Sequence, residues 1–144
     1  MRLNPEYHMF DANMFMQLRA ALEGIALSVA TLVDLAEEAL GHDLGELAVD
    51  GGAAASDPLL QAQADSTGLA VRRPASLEST ARGVALMAGL QAGVIADLAQ
   101  LVPMRSRKSQ LFKPSINAAQ RLRWRERWAE AVARSLGWSS GGTT

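Results

Sequence analysis

The segment Val49–Ser56 reads VDGGAAAS, and its reading decides the fold of the chain. Just ahead of it, Glu46–Asp50 (ELAVD) is a short apolar run of the kind that forms a buried strand. Just behind it, Ser56 or Asp57 suits a helix N-cap, and Pro58 suits a first helical turn, where its missing N–H costs nothing. The pair Gly51-Gly52 therefore joins a strand to a helix. Glycine permits positive φ and lets a flat ligand approach with no Cβ in the way. The helix start adds unpaired N–H groups and the positive end of a dipole. Ligands of parallel α/β sheets gather at the carboxyl ends of the strands. All three properties suit a nucleotide or a sugar. A Gly-Gly pair in this setting also serves as a plain tight turn, and the turn alone leaves both readings open.

Working outward, residues 1–13 show no period and read as a lead-in. From Phe15 a long helix is expected, with an apolar stripe at Phe15, Leu18, Leu22, Ile25, Val29, Leu32, Ala36 and Leu40. Leu27, Val33 and Leu35 lie off that stripe, so the helix is apolar on more than one side and is expected between two layers. Gly24 inside it signals close packing or simple tolerance, and Gly41 fits a C-cap. After the turn come a helix to about Ser66 closed by Gly68, a strand at Leu69–Arg73, and a helix over about 77–92 ended by Gly93. A short helical turn is expected at Asp97–Leu101 and a basic loop at 102–114. A last helix covers Ile116–Trp138, with Trp124, Trp128, Val132 and Leu136 four apart, and SSGGTT reads as a frayed end. Strand–helix alternation predicts an α/β fold, helix-rich, with two parallel strands. A two-stranded sheet is a poor one, which suggests that part of a larger sheet lies elsewhere.

Composition narrows the function. The chain has 144 residues, 49% hydrophobic and 20% charged, which fits one ordinary globular domain. It has no cysteine, and its two histidines, His8 and His42, are far apart, so no metal site is expected. No apolar run reaches the length of a membrane span, and the start carries Glu6 and Asp11 without an apolar signal core. A cytoplasmic location with no membrane partner is the expectation. Net charge is −1, yet residues 102–144 hold nine basic and two acidic side chains. Arg121, Arg123, Arg125 and Arg127 alternate with Leu122, Trp124 and Glu126, which reads as a solvated helix face, so no nucleic-acid partner is expected.

Four pieces occur in order: Ala20–Leu40, Glu46–Ala64 (ELAVDGGAAASDPLLQAQA), Glu78–Gly93 (ESTARGVALMAGLQAG) and Ser135-Leu136-Gly137-Trp138 after Trp128. Together they resemble the C-terminal domain of glycerol kinases, within the FGGY carbohydrate kinases. The resemblance covers residues 18–138 and leaves 1–17 as a lead-in outside the family pattern and 139–144 as a disordered tail. It implies an actin-like, ribonuclease H-like ATPase fold, in which two α/β domains close on ATP with Mg²⁺. It also implies that Gly51 and Gly52 form the adenosine turn, with Gly52 under the adenosine. Ser56 stands where the family has an adenine-contacting asparagine, and its shorter hydroxyl suits weaker or water-bridged recognition. Arg82 stands where the family has an apolar residue, and it reads as a surface charge. By the same resemblance, the catalytic base, the phosphate loops, the glycerol contacts and the first three strands of a five-stranded sheet precede this region. The chain would then be a shortened or rearranged product holding the adenosine side only, with ATP or ADP as ligand, no catalytic residue and no activity alone. A non-catalytic helical interaction module is the alternative. The uncovered apolar faces would leave it poorly stable, homo-oligomeric, or dependent on the remaining half of the enzyme.

Overall fold

Ser56 N-caps a helix at Asp57–Thr67 (α2), with Pro58 in its first turn and Gly68 in the left-handed conformation at its end. Both ends lie where the sequence predicts them. The computed structural model describes residues 11–97, 99 and 109–136. Along these the order is α1 (Asp11–Leu40), β1 (Glu46–Ala48), a 3-10 turn (Gly52–Ala55), α2, β2 (Ala70–Pro74), α3 (Ser79–Gln91), β3 (Ser109–Phe112) and α4 (Ala118–Ser135).

β1 and β2 pair in parallel, with Leu47 opposite Val71, as expected. The sheet has a third strand, however, in the order β1-β2-β3. β3 runs antiparallel to β2, with Phe112 opposite Val71, inside the stretch expected to be loop. Its burial pattern is exposed at three positions and buried only at Phe112, so periodicity does not mark it. Residues 102–108 of the expected loop lie outside the described residues. So does most of the turn expected at Asp97–Leu101.

α2 covers one face of the sheet. Leu60 and Ala64 meet Ala54, Val71 and Phe112 there, with Leu47, Val49 and Leu77 packed around them. α1 lies along the other side of α2, where the buried Ser66 hydroxyl donates to the Ala26 carbonyl at 3.0 Å. α4 crosses both helices. Its Asn117 forms a capping box with Gln120, Arg121 donates to the Asp65 carbonyl, and Arg125 pairs with Asp34. Gly137, Trp138 and the SSGGTT end lie outside the described residues, as do residues 1–10 of the lead-in. No helix among the described residues is long and apolar enough to cross a membrane.

α1 corrects two expectations. It starts at Asp11 rather than Phe15. The added residues 11–14 hold one large apolar side chain, Met14, too few to show a helical period. Its buried side is also not the predicted stripe. Ala26, Leu27, Ala30 and Val33 are buried, while Phe15 is 63% exposed and Leu32 64%, with Leu18, Ile25, Leu35 and Leu40 also exposed. Ala26 and Ala30 lie on the side facing α2, whereas the larger apolar stripe is mostly exposed, with only Leu22, Val29 and Ala36 half-buried. Ordinary surface apolar residues are scattered singly; a row along one helix marks a covered surface.

Gly24 packs under Trp128. A Cβ on it would sit 3.7 Å from the Trp128 ring, an ordinary contact. Gly24→Ala should therefore keep the packing and gain helix propensity, raising stability by about 0.5–1 kcal/mol in urea unfolding.

Candidate functional site

The crossover from β1 to β2 places the glycine pair at the carboxyl end of β1 and ahead of α2. The Val49 N–H extends the β1–β2 pairing by one bond, to the Arg72 carbonyl. The chain then turns sharply at Gly51, whose φ of 83° and ψ of 177° suit glycine alone. The Gly51 N–H donates to the Leu77 carbonyl at 3.3 Å, and its carbonyl accepts from the Ala54 N–H at 3.0 Å. Gly52 is exposed and has ordinary φ. A Cβ built on it meets no atom within 4 Å, so the space above the turn is open to a flat group. Ala54 points inward and is buried in the core under β2, which anchors the turn from below.

Ser56 does not stand free beside this space. Its Oγ accepts from the Leu59 N–H as the α2 N-cap, at a long 3.4 Å, while its O–H remains a donor. Gly51, Gly52 and Ser56 thus share one turn: Gly51 supplies its shape, Gly52 its open floor, and Ser56 its junction with α2.

Two further residues belong to the turn that the sequence reading passed over. The Asp50 carboxylate accepts from the Ser79 N–H at 3.1 Å and so caps α3. Hydrogen bonding, first from the Ser79 side chain and then from the Gly51 and Ser79 backbones, holds its pKa below the usual carboxylate value. Arg73 reaches in from β2. It donates to the carbonyls of Ala54 and Ala55 and pairs with Asp57 at 2.7 Å. The signal for Arg73 was strand alternation, which puts it on the same side of β2 as buried Val71, where an arginine needs partners. A cleft of about 340 Å³ opens beside it, lined by Arg73, Pro74, Ala75, Leu77, Ser109 and Gln110.

A larger open groove of about 920 Å³ runs between α1, α2 and α4. Several of its polar groups are already paired with each other, Arg19 with Glu23 and Gln61 with Asp65, so it offers less to a polar ligand than the turn does. Arg82 lies half-buried on α3. Among the described residues no group of three or more histidine and carboxylate side chains is placed to hold a metal ion.

Comparison with known proteins gives consistent results. A family model described as the FGGY family of carbohydrate kinases, C-terminal domain, matches residues 11–92. The glycerol kinase of Koribacter versatilis is 43% identical over 120 residues, covering 83% of this chain and 24% of that protein. The glycerol kinase of Rhodopirellula baltica is 45% identical over 120 residues, covering 83% and 22%. Among solved structures, Plasmodium falciparum glycerol kinase with ADP superimposes with a TM-score of 0.66 at 29% identity, over 82% of this chain and 24% of that one. The chain therefore spans about a quarter of the length of the curated relatives it matches.

The conformation of Gly51 and the space above Gly52 separate their roles. Gly51→Ala should cost about 1–2 kcal/mol, because a Cβ opposes positive φ. Gly52→Ala should leave the unfolding midpoint nearly unchanged. The Asp50 contribution should follow pH with a definite sign. Its folded pKa lies below the unfolded one, so its stabilisation is full above the unfolded pKa and is lost as pH falls through the folded pKa. The stability gap between wild type and Asp50→Ala, read by urea unfolding from about pH 7 to about pH 3, should be constant at first and then shrink.

Proposed function

The chain belongs to the FGGY family of carbohydrate kinases, and from that membership we propose that it forms the adenosine-binding side of a glycerol kinase. The reaction it would serve is transfer of the γ-phosphoryl group of ATP to a glycerol hydroxyl, giving glycerol 3-phosphate. The observation that carries the reading is the turn itself: Gly51 at positive φ, with Gly52 open above, at the carboxyl end of a parallel strand and ahead of a helix start. A nucleoside fits that floor, since nothing projects from Gly52 to displace a flat base or ribose. The ADP-bound glycerol kinase whose fold this chain shares supports the same ligand class. Ser56 would offer its O–H to the adenine, directly or through a water, while its oxygen stays on the Leu59 N–H.

Bound ATP supplies the phosphoryl group, and phosphoryl transfer is driven by positioning and by stabilisation of charge on the phosphates. We assign this chain the positioning of the adenosine end and no catalytic residue. Mg²⁺ would accompany the phosphates and be held by residues beyond this chain. Glycerol would also be held there. The exposed stripe of Leu18, Ile25, Leu32 and Leu40 is where the remainder of such an enzyme would seat, since burial there yields roughly 25 cal/mol per Å². Paired with that remainder the chain would work in the cytoplasm, and alone it would associate with itself or with the remainder.

A second reading is a helical interaction module that binds no nucleotide, favoured only by the same bare stripe on α1. Calorimetric titration of the 144-residue chain with ATP separates the two. Saturable binding at or below millimolar concentration supports the kinase reading, and glycerol-dependent ADP release on adding the complementary part of a homologous glycerol kinase completes it. A defined complex with a protein partner, indifferent to nucleotide, would favour the module.

A further inference from the structure

We infer that Arg73 is the positioning residue that sets the shape of the ligand turn, acting from beneath it without touching the ligand. The inference rests on the nucleotide reading of that turn. Arg73 stands at the end of β2 with its side chain only 16% exposed. Its Nη1 donates to the Ala54 carbonyl at 2.9 Å and to the Ala55 carbonyl at 3.2 Å. The same nitrogen lies 2.7 Å from Asp57 Oδ1, at the first position of α2. Its Nη2 donates to Gln110 Oε1 on β3, and the guanidinium carbon lies 5.2 Å from the centre of the Phe112 ring. One side chain therefore ties the last two residues of the 3-10 turn to the start of α2, and is itself held from β3.

Geometry makes this more than a surface ion pair. The turn carbonyls of Ala54 and Ala55 are both satisfied by Arg73, a residue of the sheet, while no atom lies within 4 Å of a Cβ built on Gly52. The guanidinium fork serves two places at once: Nη1 faces the turn carbonyls and Asp57 while Nη2 holds Gln110 of β3, a span that the single nitrogen of a lysine does not cover. The neighbouring Arg72 provides an internal comparison. It makes a paired contact with Glu46 and a bond to Ser109, on the opposite side of the same strand, and touches no residue of the turn.

The test uses the 144-residue chain with ADP as probe. ADP affinity is measured by calorimetry, and amide hydrogen exchange is followed across the chain for wild type, Arg73→Met, Arg73→Lys and Arg72→Met. Arg73→Met should weaken ADP binding about tenfold, the scale of one charge-assisted hydrogen bond, and speed exchange at residues 53–60 while α1 keeps its protection. Arg73→Lys should recover only part of both. Arg72→Met should keep ADP affinity within about twofold of wild type, as a partly exposed ion pair remote from the turn predicts. Equal affinity and exchange in Arg73→Met and wild type would overturn the inference, as would an equal loss in Arg72→Met. If wild type binds no ADP, the nucleotide reading falls and exchange alone decides: loss confined to the turn supports Arg73 as its organiser, and uniform or absent loss rejects it. If Arg73→Met does not fold, the ratio of Arg73→Lys to wild type decides on the same criteria.

Discussion

Parallel pairing of β1 with β2 is the constraint on which the rest depends. Two parallel strands cannot be joined by a hairpin, so the chain must leave β1, cross over, and return. The crossover is α2, and the packing of Leu60 and Ala64 on Val71 presses it against the sheet. This arrangement puts the glycine turn beyond the end of β1 and the first turn of α2 directly after it. Arg73, two residues past Val71, then emerges under the turn. The site follows from the crossover, since each of its residues is a neighbour of one strand end.

The outer layer obeys a different rule. α1 joins α2 through small side chains, Ala26 and Ala30, and through one buried hydroxyl-to-carbonyl bond from Ser66. Small residues permit close approach but bury little area each; Leu27 and Val33 are buried beside them, while Phe15, Leu18, Ile25, Leu32, Leu35 and Leu40 of α1 are exposed. Trp128, Arg121 and Arg125 of α4 hold the two helices from the side, through a ring against Gly24 and polar bonds to Asp65 and Asp34. The described part is thus well joined across the α2 face of the sheet and thinly covered beyond α1.

Local chemistry was legible in the sequence where it acts within a few residues. Ser56, Pro58 and Gly68 announce both ends of α2, and the Gly51-Gly52 pair announces the turn. Gly41 and Gly93 mark helix ends, and both carry positive φ. Long-range pairing was not legible. β3 is a strand because Phe112 meets Val71 from forty-one positions away, and its own pattern of one buried residue in four does not announce it. The buried side of α1 was misjudged for a related reason. Two apolar stripes compete along that helix, and periodicity ranks them by bulk, whereas the partner present fits the alanines. Arg73 escaped because two of its four acceptors are backbone carbonyls, which no motif displays, and the other two, Asp57 and Gln110, are brought to it only by the fold.

α3 has an unusual attachment. None of its residues is buried, and it makes no extensive contact with another element among the described residues. At its base the Asp50 carboxylate accepts from the Ser79 N–H and, just before it, the Leu77 carbonyl accepts from the Gly51 N–H while the Leu77 side chain packs on the core. Both hydrogen bonds end on the glycine turn. A helix of thirteen residues is about 20 Å long, so α3 extends as an arm from its base beside the glycine turn. By geometry alone, any rotation about that base would carry the far end of the arm, near Gln91, farther than the turn itself.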